Sequence, residues 1–129
     1  MTRLTHPSPR DDPEAFARAF LAAVNERLPK WFDRGDVLVK ETHLEEAHGD
    51  WAVVVLFRVT RSPDVTYGFR WENVCREATN DLSAAEAAGS DTADVLGPTV
   101  TVMLANLDEL IHATGAALPK SNGDDIVWI

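Results

Sequence analysis

Cysteine occurs once in the 129 residues, at Cys75. No disulfide can close within the chain, and a reducing cytoplasm is the expected setting. Long apolar runs are missing as well. Nothing approaches the roughly 18 consecutive apolar residues that mark a transmembrane helix. The opening Met1-Thr2-Arg3-Leu4-Thr5-His6-Pro7 lacks the apolar stretch of a secretory signal, so none is expected. Basic residues are scarce, with 12 Lys and Arg against 21 Asp and Glu, a net charge of −9. Nucleic acid and anionic membranes both demand a basic footprint, so neither is expected as a partner. Glycine-rich phosphate or dinucleotide loops, the Gly-x-Ser-x-Gly elbow and His-Glu-x-x-His are all absent. There is no second cysteine for zinc, and the His43 and His48 imidazoles with the carboxylates around them match no standard ligand spacing, so no metal and no cofactor are expected. Enzymes that build a site from scattered residues stay open.

What is present fits one globular domain. Hydrophobic residues make up 45% of the chain and charged residues 26%, near the globular average. Residues 1–11 carry Pro7 and Pro9 and little apolar material, and read as a flexible arm ahead of a single domain over 12–129. Asp12-Pro13-Glu14 opens a helix, with Asp12 as cap and Pro13 where no amide donor is needed. Phe16, Phe20, Val24 and Leu28 then repeat at four-residue steps. Pro29 should end or kink that helix at Leu28, with Trp31 and Phe32 packing at its exit and a turn at Arg34-Gly35-Asp36.

Three strand-like runs follow. In Trp51–Thr60 the odd positions are all apolar, and in Val65–Trp71 they alternate with Thr66, Gly68 and Arg70. A hairpin near Ser62-Pro63-Asp64 would pair Val59 with Tyr67, Phe57 with Phe69 and Val55 with Trp71. Val37–Leu44 is ambiguous, because Val37 and Val39 want one face inward and Leu38 and Leu44 the other. A helical stripe runs from Trp71 through about Ala88. A second one, Val100, Met103, Leu104, Leu107 and Ile111, opens after Gly97-Pro98 and stops near Gly115. Residues 99–102 also read as a short strand, but the unbroken stripe favours helix. The tail Ile126-Val127-Trp128-Ile129 follows a turn at Asn122-Gly123. It should add a short strand to a sheet edge or anchor a second subunit or partner. The expected fold is α+β: an N-terminal helix, a three-stranded antiparallel meander, two C-terminal helices on one sheet face, and a short apolar C-terminal strand.

Two groups of side chains could carry function. Glu41, His43 and Glu45 share one face of a strand. Arg58 and Arg70, expected as diagonal neighbours, lie on the polar sheet face and could join Glu41 and His43 in a small charged pocket for catalysis or an acidic ligand. Otherwise the arginines pair with Glu41, Glu72 or Glu77. The second group is electrostatic. From Glu77 to Pro119 there are seven acids and no Lys or Arg. A one-signed field steers a partner of opposite charge, although it also serves solubility. The expected function is a non-catalytic module, in the manner of an inhibitor, antitoxin or chaperone. It would bind a basic protein surface through Asp91, Asp94, Asp108 and Glu109, with Trp128 as an anchor where the tail docks in trans, on a partner or in a homodimer. Cys75, on an apolar stripe, reads as a structural thiol, and His112 as a favourable charge near a helix C-terminus.

Overall fold

Capping chemistry starts the first helix where the sequence places it. In a computed structural model, which describes residues 3–31, 37–60, 62–112 and 126–129, the Asp12 carboxylate accepts the Ala15 amide at 3.3 Å. Helix α1 (Pro13–Trp31) buries Phe16, Phe20, Val24 and Leu28. It does not stop at Leu28 but carries Pro29 within its last turn. There a proline removes one amide donor without interrupting a following run of turns. The expected turn over 34–36 and the Phe32 contact lie outside the described residues.

Three long strands follow: β2 (Val37–Ala47), β3 (Asp50–Val59) and β4 (Ser62–Trp71). The β2–β3 hairpin closes through His48 and Gly49, both at positive φ (54° and 78°), the geometry whose twist matches a two-residue hairpin. After β4 come α2 (Val74–Ala87), β5 (Thr92–Ala93), α3 (Leu96–His112) and β6 (Val127–Trp128). Residues 99–102 are therefore helical. The stop at Gly115 and the turn at Asn122-Gly123 lie outside the described residues. The main sheet has the order β2-β3-β4-β6, antiparallel except for β6, which runs parallel to β4. The tail thus docks in cis, and Ile129 donates its amide to the Gly68 carbonyl at 2.9 Å. The fold is α+β, as composition and periodicity imply.

Residues 3–11, expected as an arm, are held at several points. Arg3–Leu4 form strand β1, parallel to β5. The Val95 amide donates to His6 Nε2, and Arg10 reaches Glu86 at 2.7 Å. Two-residue strands have no periodicity to betray them in a sequence.

The two faces of the sheet differ. Val53, Val55, Phe57, Val59, Tyr67 and Phe69 join the helices in one core. Phe57 and Tyr67 stack with centroids 5.7 Å apart. The opposite face carries no part of that core. Its Ala52 and Val54 are nevertheless 1% and 0% exposed, flanked by the longer side chains of Glu45, His43 and Arg70 in the same rows. The ambiguity of β2 is resolved by an irregularity between Val39 and Glu41. The extra residue, Lys40, inverts the alternation. Val37 and Val39 face the helices before it, and Thr42 and Leu44 after it.

The β3–β4 register departs from expectation. The pairs are Val53–Trp71, Val55–Phe69 and Phe57–Tyr67, so each β4 residue meets a partner two positions earlier than anticipated. A slip of two leaves every side chain on its own face, so hydrophobic pattern alone could not detect it. The strand end is not regular: the register shifts between Phe57 and Val59, and Val59 pairs with Ser62, so the strands do not run evenly into a reversal centred on Pro63.

Candidate functional site

The register places the polar residues of the open face. Glu41 lies opposite Leu56, His43 opposite Val54, and Glu45 opposite Ala52; across β3, Arg70 also meets Val54. His43 sits between two carboxylates, with Nδ1 2.9 Å from Glu41 and Nε2 3.2 Å from Glu45. Arg70 binds the other oxygen of Glu45 at 2.8 Å and lies 3.2 Å from Glu72. Glu41, His43, Glu45, Arg70 and Glu72 thus form one chain of polar contacts along the sheet surface, hydrogen bonds at His43 and ion pairs at Arg70. A carboxylate held by both an imidazole and a guanidinium has its acceptor oxygens already engaged. That arrangement fixes the strands' side chains more than it frees a base.

Arg58 does not join them. It stands opposite Leu38 at the other end of β3. Four residues of strand, about 13 Å, separate it from the Val54–Arg70 row. The expectation that Arg58 and Arg70 would be diagonal neighbours fails through the two-residue slip, and the four-residue pocket of Glu41, His43, Arg58 and Arg70 is not assembled. Arg70 finds Glu45 and Glu72, while Arg58 makes no ion pair among the described residues and its buried Nε has no hydrogen-bond partner.

On the helix side, a groove of about 530 Å³ runs between α1 and the sheet, lined by Arg18, Leu21, Asn25, Thr42, Leu44 and Trp51. Arg18 is engaged with Glu14 at 2.9 Å, and Thr42 donates to Asn25. Among the described residues no group of three or more His, Cys, Asp or Glu side chains could hold a metal ion. No helix among them is long and apolar enough to cross a membrane.

The acidic residues divide by what they touch. Asp94 accepts the amides of Leu96 and Gly97 at 3.1 and 2.9 Å, capping α3. Asp108 holds His112 at 2.8 Å. Glu86 binds Arg10, which holds its carboxyl below the usual range. Asp91 and Glu109 are exposed. Trp128 is half exposed and lies on the open sheet face, over Gly68, away from the helices. The five residues expected to bind a partner therefore do not form one patch.

Sequence reasoning missed Asp50. Its two carboxylate oxygens accept the amides of Cys75 and Arg76, each at 3.0 Å. The residue before α2, Asn73, is left-handed (φ 57°) and gives no side-chain cap. The cap comes from 25 positions upstream, and no local signal could have shown it. Cys75 is buried and gives its thiol proton to the Pro13 carbonyl at 3.3 Å. Burial first, then the Asp50 charge, push the thiol up to about 12. It is a packed group and not a nucleophile.

No protein-family model matches the chain, and no curated protein or solved structure proved significantly similar to it.

Proposed function

We propose that this chain is a non-catalytic, cytoplasmic interaction module whose acidic helical layer docks a protein with a basic surface. One observation carries the reading. Over residues 77–112, covering most of α2, β5 and α3, every Asp and Glu except the half-buried Asp108 is exposed, and the segment has no Lys or Arg of its own. Among the described residues Arg10, on Glu86, is the one Lys or Arg ion-paired to this stretch. Folding uses Asp94, Asp108 and Glu86, and Asp81 accepts only a long 3.4 Å hydrogen bond from Thr99, which narrows the surplus charge to Glu77, Asp81, Asp91 and Glu109. Unpaired charge of one sign raises the local concentration of an oppositely charged partner and speeds encounter.

The experiment is affinity capture from the native host with the wild type and with a variant reversing Glu77, Asp81, Asp91 and Glu109 to Lys. These positions leave the α3 cap intact. A basic partner should be retained by the wild type, be released by salt, and associate more slowly with the variant. A partner without basic character, or one whose association rate ignores both salt and the reversal, would leave solubility as the reason for the charge.

A further inference from the structure

The open sheet face carries a second surface, on the side away from the acidic layer. Three of the exposed large apolar side chains, Leu38, Ile126 and Trp128, lie there at 60%, 36% and 50% exposure. Leu38 pairs directly with Arg58; two residues back along β3, Leu56 pairs with Gly68, and Gly68 in turn with Trp128. Ile126 and Trp128 lie so close over Gly68 that a β-carbon there would come within 2.8 Å of both. A dent of about 230 Å³ opens at Leu38 on the same face, lined by Leu38, Arg58, Val59, Thr60 and Pro63.

Beside Leu38 stands Arg58, whose Nε lacks an acceptor among the described residues. Arg58 Nε is buried without a hydrogen-bond partner, and no carboxylate pairs with the side chain among the described residues. The nearest row does hold one, Glu41, but it is turned to His43 at 2.9 Å. An arginine presents five donors in a planar fork, and burying one of them unpaired is costly. A carboxylate would satisfy the fork bidentately, and apolar groups beside it would cover Leu38, Ile126 and Trp128.

We infer that the face around Arg58 docks a partner segment presenting one carboxylate side chain flanked by apolar side chains. A second copy of this chain fits poorly, because a two-fold contact over the patch would bring Arg58 toward its own like charge. The inference does not rest on the acidic layer, and reversing Glu77, Asp81, Asp91 and Glu109 should leave it untouched.

The test selects short random displayed peptides against the full chain and measures the affinity of the enriched sequence as a synthetic peptide. The expected sequence has one Asp or Glu between apolar residues, and its binding shifts the Trp128 indole NMR signal. Changing that acid to its amide should weaken binding about ten-fold, Arg58→Met should do the same, and the two changes together should cost little more than either alone. Arg58→Met keeps an apolar stem, and the amide peptide needs no protein variant, so a folding defect cannot mask the result. Absence of any enriched peptide, enrichment without an acid, equal affinity for acid and amide peptides, or self-association through this face would each overturn the inference.

Discussion

Removing the Asp50 carboxylate tests the least local link in the fold. In the native chain it receives two amides of the first turn of α2, at 3.0 Å each, and the Trp51 amide at 2.6 Å. Cys75, one of the donors, is 6% exposed, so water cannot readily replace the lost acceptor. A helix cap is worth about 1 kcal/mol and up to about 2, and hydrogen bonds to a charged group fall at about 1.5–3. Asp50→Ala should therefore cost about 2 kcal/mol. At this chain length that is a fall in Tm of roughly 6–10 °C. Asp50→Asn, which keeps one acceptor, should lose about half as much. Urea and thermal unfolding followed by circular dichroism measure both. A second readout separates the cap from the charge. Asp50 contributes, after burial, to raising the Cys75 thiol, so both variants should let that thiol ionise at lower pH. If Asp50→Ala stays within about 0.5 kcal/mol of the wild type, the α2 N-terminus is satisfied by other means and the coupling between hairpin and helix is not real.

Three further outcomes follow from the packing. Phe57→Ala removes a side chain that is 0% exposed and stacked on Tyr67; it should cost about 3–5 kcal/mol in urea unfolding, and a loss under about 1 would mean β3 is inside out. Because the folded thiol of Cys75 sits at about 12, above an unfolded value near 8.5, the unfolded state releases its proton first as pH rises. The stability this thiol contributes is therefore whole below about pH 8.5 and lost from there toward 12, so Cys75→Ala should lose less stability than the wild type between pH 9 and 11, and parallel curves would contradict the burial. Gly68→Val would drive a side chain into Trp128 and Ile126 and should expel β6; it should shift the Trp128 indole NMR signal and lower Tm as deletion of 126–129 does, whereas an unmoved indole would show that the tail does not pack there.

Much of the architecture was legible because it is periodic. Phe16 to Leu28 and Val100 to Ile111 repeat at helical spacing, and Val53 to Val59 and Val65 to Trp71 alternate; all these apolar runs end up facing one core. What stayed hidden was non-local or aperiodic. The Arg3–Leu4 strand is too short to have a period, and its partner lies at Thr92–Ala93. In β2 both halves of the pattern were visible and contradictory. An inserted residue, Lys40, reconciles them, but a strand read alone does not reveal where an insertion falls. Pro29 misled because a proline's cost depends on how much helix follows it, and here only Lys30 and Trp31 do.

The site shows the same limit where it matters for function. Arg58 and Arg70 have equal standing in the sequence: same residue type, same sheet face, acids nearby. Pattern could assign the face, since alternation survives a two-residue slip. It could not assign neighbours, since neighbours are what a slip changes. With the observed register, Arg70 falls in the row of His43 and beside Glu45, and its charge is matched at 2.8 Å. Arg58 falls opposite Leu38 and has no counter-ion among the described residues. The difference between a structural ion pair and a guanidinium available to a partner is thus set by two registers: β3 against β4 brings Arg70 to the Val54 row, and β2 against β3 puts Leu38 opposite Arg58.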